Sequence, residues 1–149
     1  MKYQVLIFSL FFIISCNQKY AVDEFEKDFL ENRWIKNDIK RMSFSIEEAN
    51  DYAIDLHLGH IYDFQFEEIP VLVTIFNGEQ LVFQEEILIK MKDENGKDKG
   101  DCLGDICDLY IPISQKISLN KGNYTIQFEN KFDHEYLPNI LGIGLRVKK

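Results

Sequence analysis

Three cysteines stand among the 149 residues of this chain, and their settings divide them into one and two. Cys16 closes an apolar run, Val5-Leu6-Ile7-Phe8-Ser9-Leu10-Phe11-Phe12-Ile13-Ile14, which follows Lys2 and ends in the small Ser15. A positive start, an apolar core of about ten residues and a small residue before the cut are the parts of an export signal. The run is shorter than the roughly 20 apolar residues that cross a bilayer. Ile13-Ile14-Ser15-Cys16 has the order of a bacterial lipobox, in which the cysteine thiol takes the lipid and becomes the new N-terminus. The alternative is an ordinary export signal with a chance cysteine. The position of Cys16 at the cut favours lipidation, with palmitate-type acyl chains holding the chain to a lipid bilayer.

With Cys16 assigned to lipid, Cys102 and Cys107 remain as an even pair. An exported compartment permits disulfides. An extended C-x-x-x-x-C segment would hold the two Cα atoms too far apart to bridge. Gly104 lies between them and can supply the bend. A loop this small would stabilise by about 2 kcal/mol in the chain-entropy model. Two free buried thiols or half of a metal site are the alternatives. No further cysteine remains and no histidine lies near in sequence, which argues against zinc.

The long polar stretch from Asp93 to Asp105 reads as a surface loop, and surface loops often carry function. It fails as a calcium loop, because Lys97 stands where an oxygen ligand is required and Gly96 is out of place. Its expected use is as a partner surface, carried by Asp93, Asn95, Lys97, Asp98, Asp101 and Asp105. His57 and His60 are three apart at a strand end, where alternation sends them to opposite faces, and they read as ordinary surface or strand-end residues; His134 is the remaining histidine, and no third ligand is identifiable. The single tryptophan, Trp34, suits a core-edge plug better than a ligand platform. Trp34, Tyr62 and Tyr136 are the candidates for ligand stacking. No nucleophile elbow, zincin helix or phosphate loop occurs, and nothing places two of the many carboxylates together. The reading is therefore no catalytic residues, no metal, no cofactor and no enzyme.

The elements that must carry these residues follow from the apolar periodicity. Removing residues 1–15 takes away only Lys2 among the charges, so the remaining chain is one unit more acidic than the formal −8 of the whole. That charge argues against nucleic acid and against a polybasic membrane patch. The length suits one domain. Val22, Phe25, Phe29 and Leu30 fit one face of a short helix behind early acids, and an extended tether fits as well. From residue 40 the period becomes two. Strands are expected over 42–46, 52–58, 62–66, 69–76, 80–90, 109–113, 124–128 and 140–147. Asn77-Gly78 predicts a type I′ hairpin joining 69–76 to 80–90. Pro112 suggests an edge strand, and Gly142 and Gly144 suggest a bulge or a close backbone approach. About eight short strands predict an all-β antiparallel sandwich, Ig-like or jelly-roll-like. The expected organisation is a signal peptide at 1–15, a lipidated tether at 16–38 and a sandwich at 39–149.

Several of these features occur in an order that resembles a known family. They are the lipobox, Trp34-Ile35-Lys36-Asn37-Asp38, the Asn77-Gly78 hairpin, a glycine-containing loop before a strand, and Leu137-Pro138-Asn139-Ile140-Leu141-Gly142-Ile143-Gly144-Leu145-Arg146-Val147. The chain resembles the gliding-motility lipoprotein H family (GldH) of the Bacteroidota over nearly its whole mature length. The Cys102 and Cys107 pair departs from that pattern. The resemblance implies a non-enzymatic envelope lipoprotein that supports gliding and associated secretion, with other envelope proteins as partners. Surface-exported lipoproteins of that phylum tend to carry acids directly after the cysteine. Asn17-Gln18-Lys19-Tyr20 follows here, so the expected place is the outer membrane, facing the periplasm. A glycan- or ligand-binding sandwich module of the envelope is the competing expectation.

Overall fold

A computed structural model describes residues 20–149, and the signal segment and Cys16 lie outside the described residues. Eleven strands make up the described chain: β1 (Val22–Glu26), β2 (Arg33–Ile35), β3 (Ile39–Ile46), β4 (Asn50–Ile61), β5 (Glu68–Asn77), β6 (Gln80–Lys90), β7 (Asp101–Leu103), β8 (Ile106–Leu119), β9 (Gly122–Asn130), β10 (Tyr136–Pro138) and β11 (Ile140–Lys148). They form an all-β sandwich. One sheet runs β1-β11-β4-β8-β7, the other runs β3-β9-β5-β6, and β10 and β2 pair separately. Every pairing is antiparallel.

The period-two pattern builds both inner faces. Met42, Phe44 and Ile46 of β3 turn inward while Ser43 and Ser45 face water. Tyr52, Ile54, Leu56 and Leu58 of β4 do the same, as do Ile69, Val71, Val73 and Ile75 of β5 and Ile143, Leu145 and Val147 of β11. Each such aliphatic side chain contributes about 1.5–3 kcal/mol by leaving water.

Residues before 39 do not stand outside the sandwich. The expected helix or tether is instead β1, which pairs with β11 from Val22↔Val147 to Glu26↔Ile143. Helix cannot form over Leu30–Asn32 beyond a single 3-10 turn, because Glu31 and Asn32 have φ of 54° and 56°. Trp34 follows on β2, fully buried, with its indole N–H donating to the Asp38 carbonyl at 3.0 Å and Phe29 edge-on to its ring. The sandwich therefore begins by residue 22 rather than 39.

Two turns also differ from expectation. β5 and β6 pair as predicted, but Asn77 is the last paired residue, opposite Gln80, and the loop is Gly78-Glu79. Only Gly78 has positive φ, which is the demand of a type II′ turn rather than type I′. The alternation at Tyr62, Phe64 and Phe66 makes no strand. β4 ends at Ile61 and Asp63 turns with φ 58°, so the period-two signal there comes from a loop that buries Phe64. Pro112 does lie in an edge strand, since β8 beyond Asp108 is paired only with β4.

Candidate functional site

The Asp93–Asp105 loop ends in a tight hairpin. β7 and β8 pair from Asp101↔Asp108 to Leu103↔Ile106, leaving Gly104-Asp105 as the turn. Gly104 has φ 62° and supplies the bend that brings Cys102 directly opposite Cys107. The two are joined by a disulfide, with 4.0 Å between Cα atoms. Just beyond the bond, Leu103 is 89% exposed and its cross-strand partner Ile106 57% exposed. Tyr62, half exposed, is tied to the same tip by its N–H, which donates to the Asp105 carbonyl at 2.9 Å. Leu103 and Ile106 are thus held in water on a covalently braced turn, with Tyr62 tied to it and Asp101 and Asp105 exposed beside them.

The base of the loop is fixed by charge. Asp98 is buried and accepts from Lys92 Nζ at 2.6 Å and from the Phe64 N–H at 3.1 Å. Burial pushes its carboxyl up, but Lys92 and the backbone N–H groups of Phe64 and Asp63 outweigh that and hold it below the usual carboxylate range. The hydrogen bond to Asp98 in turn raises Lys92. Asp93 caps its own turn, accepting from the N–H groups of Asn95 and Lys97. Of the six residues expected to form a partner surface, Asp93, Asn95, Lys97, Asp101 and Asp105 are exposed. Asp98 is not; it is a buried structural anion, because its carboxylate pins the loop to the 62–66 turn.

The three stacking candidates are not brought together. Trp34 belongs to the core, so no ligand can lie on it. Tyr62 belongs to the hairpin tip. Tyr136 borders a cleft of about 290 Å³ with Phe66, His134, Glu135 and Pro138, and the Arg33 guanidinium lies 4.7 Å from its ring centroid.

His57 and His60 are both buried rather than surface residues. On the outer face of the first sheet, Gly59, Gly142 and Gly144 leave a trough, and Phe25 of β1 fills it. A Cβ on Gly142 would meet the Phe25 ring at 2.3 Å, and one on Gly144 would meet the Glu24 carbonyl oxygen at 2.1 Å. The expected close approach and the expected bulge therefore both occur, the bulge between Ile140 and Gly142. Phe25 stacks on His57 at 4.1 Å, Tyr110 covers the other side at 4.4 Å, and Nε2 meets Asp108 Oδ1 at 2.6 Å. Burial lowers the His57 pKa, outweighing the Asp108 carboxylate, which is itself partly in water. Held between the Phe25 and Tyr110 rings and bonded to Asp108, His57 acts as a clamp on β1. His60 lies on the inner face, directly across from Cys107. Sequence distance hid that proximity, and a histidine does lie near the cysteine pair in space.

Residues 21–147 match the model of the GldH lipoprotein family, the whole of the sandwich from its first strand to its last. The chain belongs to the GldH lipoprotein family. A GldH chain is read accordingly as a lipoprotein component of the cell envelope, anchored by lipid. A search of curated proteins found no match. Among solved structures, the chain is similar to an exo-β-1,3-galactanase from Phanerochaete chrysosporium, crystallised with galactose, at 15% identity and a TM-score of 0.38. The alignment covers 84% of this chain and 29% of that one, and carries no argument about sugar binding.

Proposed function

We propose that this GldH-family protein is a non-enzymatic accessory component of an envelope machine that supports gliding motility and the associated protein secretion. Residues 1–15 are removed on export, Cys16 carries the acyl chains, and the sandwich faces the periplasm from the outer membrane. The hairpin at Leu103, Ile106 and Tyr62 is the surface that meets another envelope protein. The observation that carries this reading is the braced apolar tip. A disulfide and a buried ion pair hold three apolar side chains outward, and apolar anchors ringed by polar groups are how protein interfaces concentrate their energy. A photo-crosslinking residue at position 103, used in the native envelope, is expected to capture a motility or secretion component. Capture of no such component, together with a deletion strain that moves and secretes normally, would overturn the proposal.

A second reading, a glycan-binding module, is favoured by the cleft beside Tyr136, where Phe66 and His134 add ring faces and Glu135 a carboxylate. It expects Tyr136→Ala to abolish binding of purified envelope polysaccharide measured by calorimetry. An unmodified chain that takes up no heat with any such polysaccharide removes this reading.

A further inference from the structure

A row of side chains crosses three strands beneath the hairpin tip. His60 of β4 stands across from Cys107 of β8, and Cys107 across from Cys102 of β7. Directly opposed residues of antiparallel strands project to one face. His60 and Cys107 are fully buried there, and Asp98 enters the same space from its loop. One ligand atom each from His60, Asp98 and Cys107 lies within 4.8 Å of the others.

The hydrogen bonding of His60 singles it out. Its Nδ1 lies 3.0 Å from the Ile61 carbonyl oxygen. A carbonyl only accepts, so Nδ1 carries the proton of the neutral ring and Nε2 is a bare lone pair. Nε2 is buried and has no hydrogen-bond partner among the described residues. A buried acceptor without a donor is costly and calls for an explanation. Histidines that bind metals have this arrangement: the far nitrogen donates to a backbone carbonyl, which fixes the tautomer and leaves the other nitrogen free.

We propose that reduction of the Cys102–Cys107 disulfide converts this row into a tetrahedral site for a zinc-class divalent cation, with Cys102, Cys107, His60 and Asp98 as its ligands. The donor set is sulfur, sulfur, nitrogen and oxygen, which zinc accepts in four-coordinate sites. Lys92, 2.6 Å from Asp98 Oδ1, offsets the surplus negative charge of three anionic ligands. A dithiol reductant supplies two electrons and two protons: the Cys102–Cys107 bond breaks, two thiols form, and the reductant closes to its own disulfide. The cation then displaces both thiol protons to water. The hairpin is held in either redox state, by the covalent bond when oxidised and by the ion when reduced.

The test uses the full chain carrying Cys16→Ser, reduced with a water-soluble phosphine, which takes the oxygen of a water molecule as it is oxidised. Cobalt(II) is then titrated in. The expected result is one cobalt per reduced chain, with a thiolate-to-cobalt charge-transfer band and the intense visible bands of a tetrahedral ion, and no stoichiometric uptake by the oxidised chain. His60→Ala and Asp98→Asn are each expected to weaken binding by more than about tenfold, since losing even an outer-shell partner costs that much. X-ray absorption of the zinc-loaded reduced chain is expected to show two sulfur and two nitrogen or oxygen neighbours, a readout that needs neither ligand variant to fold. Absence of stoichiometric uptake on reduction, a four-sulfur shell shared between two chains, or unchanged affinity in a folded His60→Ala protein would overturn the proposal.

Discussion

At the scale of single residues, two buried groups carry consequences that the surface charges do not. Asp98 is anionic inside the protein because Lys92 and backbone N–H groups hold it there. Lys92→Met leaves that carboxylate buried without its cation. The expected cost is about 2 kcal/mol in urea unfolding, below the full penalty for breaking a buried pair because Lys92 is partly in water. Lys121→Ala, which breaks the exposed pair with Glu47, is expected to leave the midpoint unchanged. His57 gives a pH dependence of definite sign. Its folded pKa lies below the ordinary 6.5, so the unfolded chain takes up the proton first as pH falls. The stability from neutral His57 is complete above about 6.5 and is lost as pH falls through the folded value. Asp98 works in the same direction but only in a lower range, toward its ordinary 3.8. Denaturation midpoints between about pH 7.5 and 5.5 are therefore expected to fall more steeply for the natural protein than for His57→Gln. Equal slopes would show that His57 is not the titrating group.

Among the elements, β1 and the β7–β8 hairpin are the two whose placement depends on small features elsewhere. β1 is an edge strand that closes on the first sheet because β11 offers glycines where Phe25 and the Glu24 carbonyl must sit. Gly144→Val is expected to detach β1 while the rest of the sandwich persists. Amide exchange would read this as loss of protection over residues 22–26 with β4 and β5 still protected. Wild-type protection of β1 in that variant would mean the strand does not depend on the trough. The hairpin behaves oppositely. Leu103 touches little of its own protein, so Leu103→Asp is expected to change unfolding free energy by no more than about 0.5 kcal/mol. The same change is expected to abolish capture by a photo-crosslinking residue placed instead at position 106, across the hairpin, separating a docking role from a folding role. Much of this element was legible beforehand. Gly104, the cysteine spacing and the polar run pointed to a bent surface loop, and they did so because turn chemistry is local. What escaped was Asp98, which looks like its exposed neighbours in sequence and is buried only because Lys92 and Phe64 meet it.

For the whole molecule, the proposed lipid anchor at Cys16 and the sandwich divide the work. One acyl chain binds a membrane only marginally, whereas two or more hold it firmly, so the sandwich needs no membrane-binding face of its own. Cys16→Ala is expected to move the protein from the membrane pellet to the soluble fraction. Mass spectrometry of the natural protein is expected to find an acylated N-terminal Cys16, and a mature start at any other residue would remove the lipid anchor from this account.

Period-two alternation, the turn glycines, the cysteine count and the order of motifs determined the fold class, the hairpins and the family, because each depends on neighbours a few residues apart. The tertiary structure decided what depends on strands meeting. Val22, Phe25, Phe29 and Leu30 suit a helix or tether by their spacing and the early acids, yet β11 takes β1 as its partner. Trp34 became core, not platform. His60 came to stand across from Cys107, although 46 residues separate them along the chain, because β4 and β8 pair in that register. Sequence spacing specifies which face a side chain takes on its own strand; only the pairing of strands specifies what it finds there.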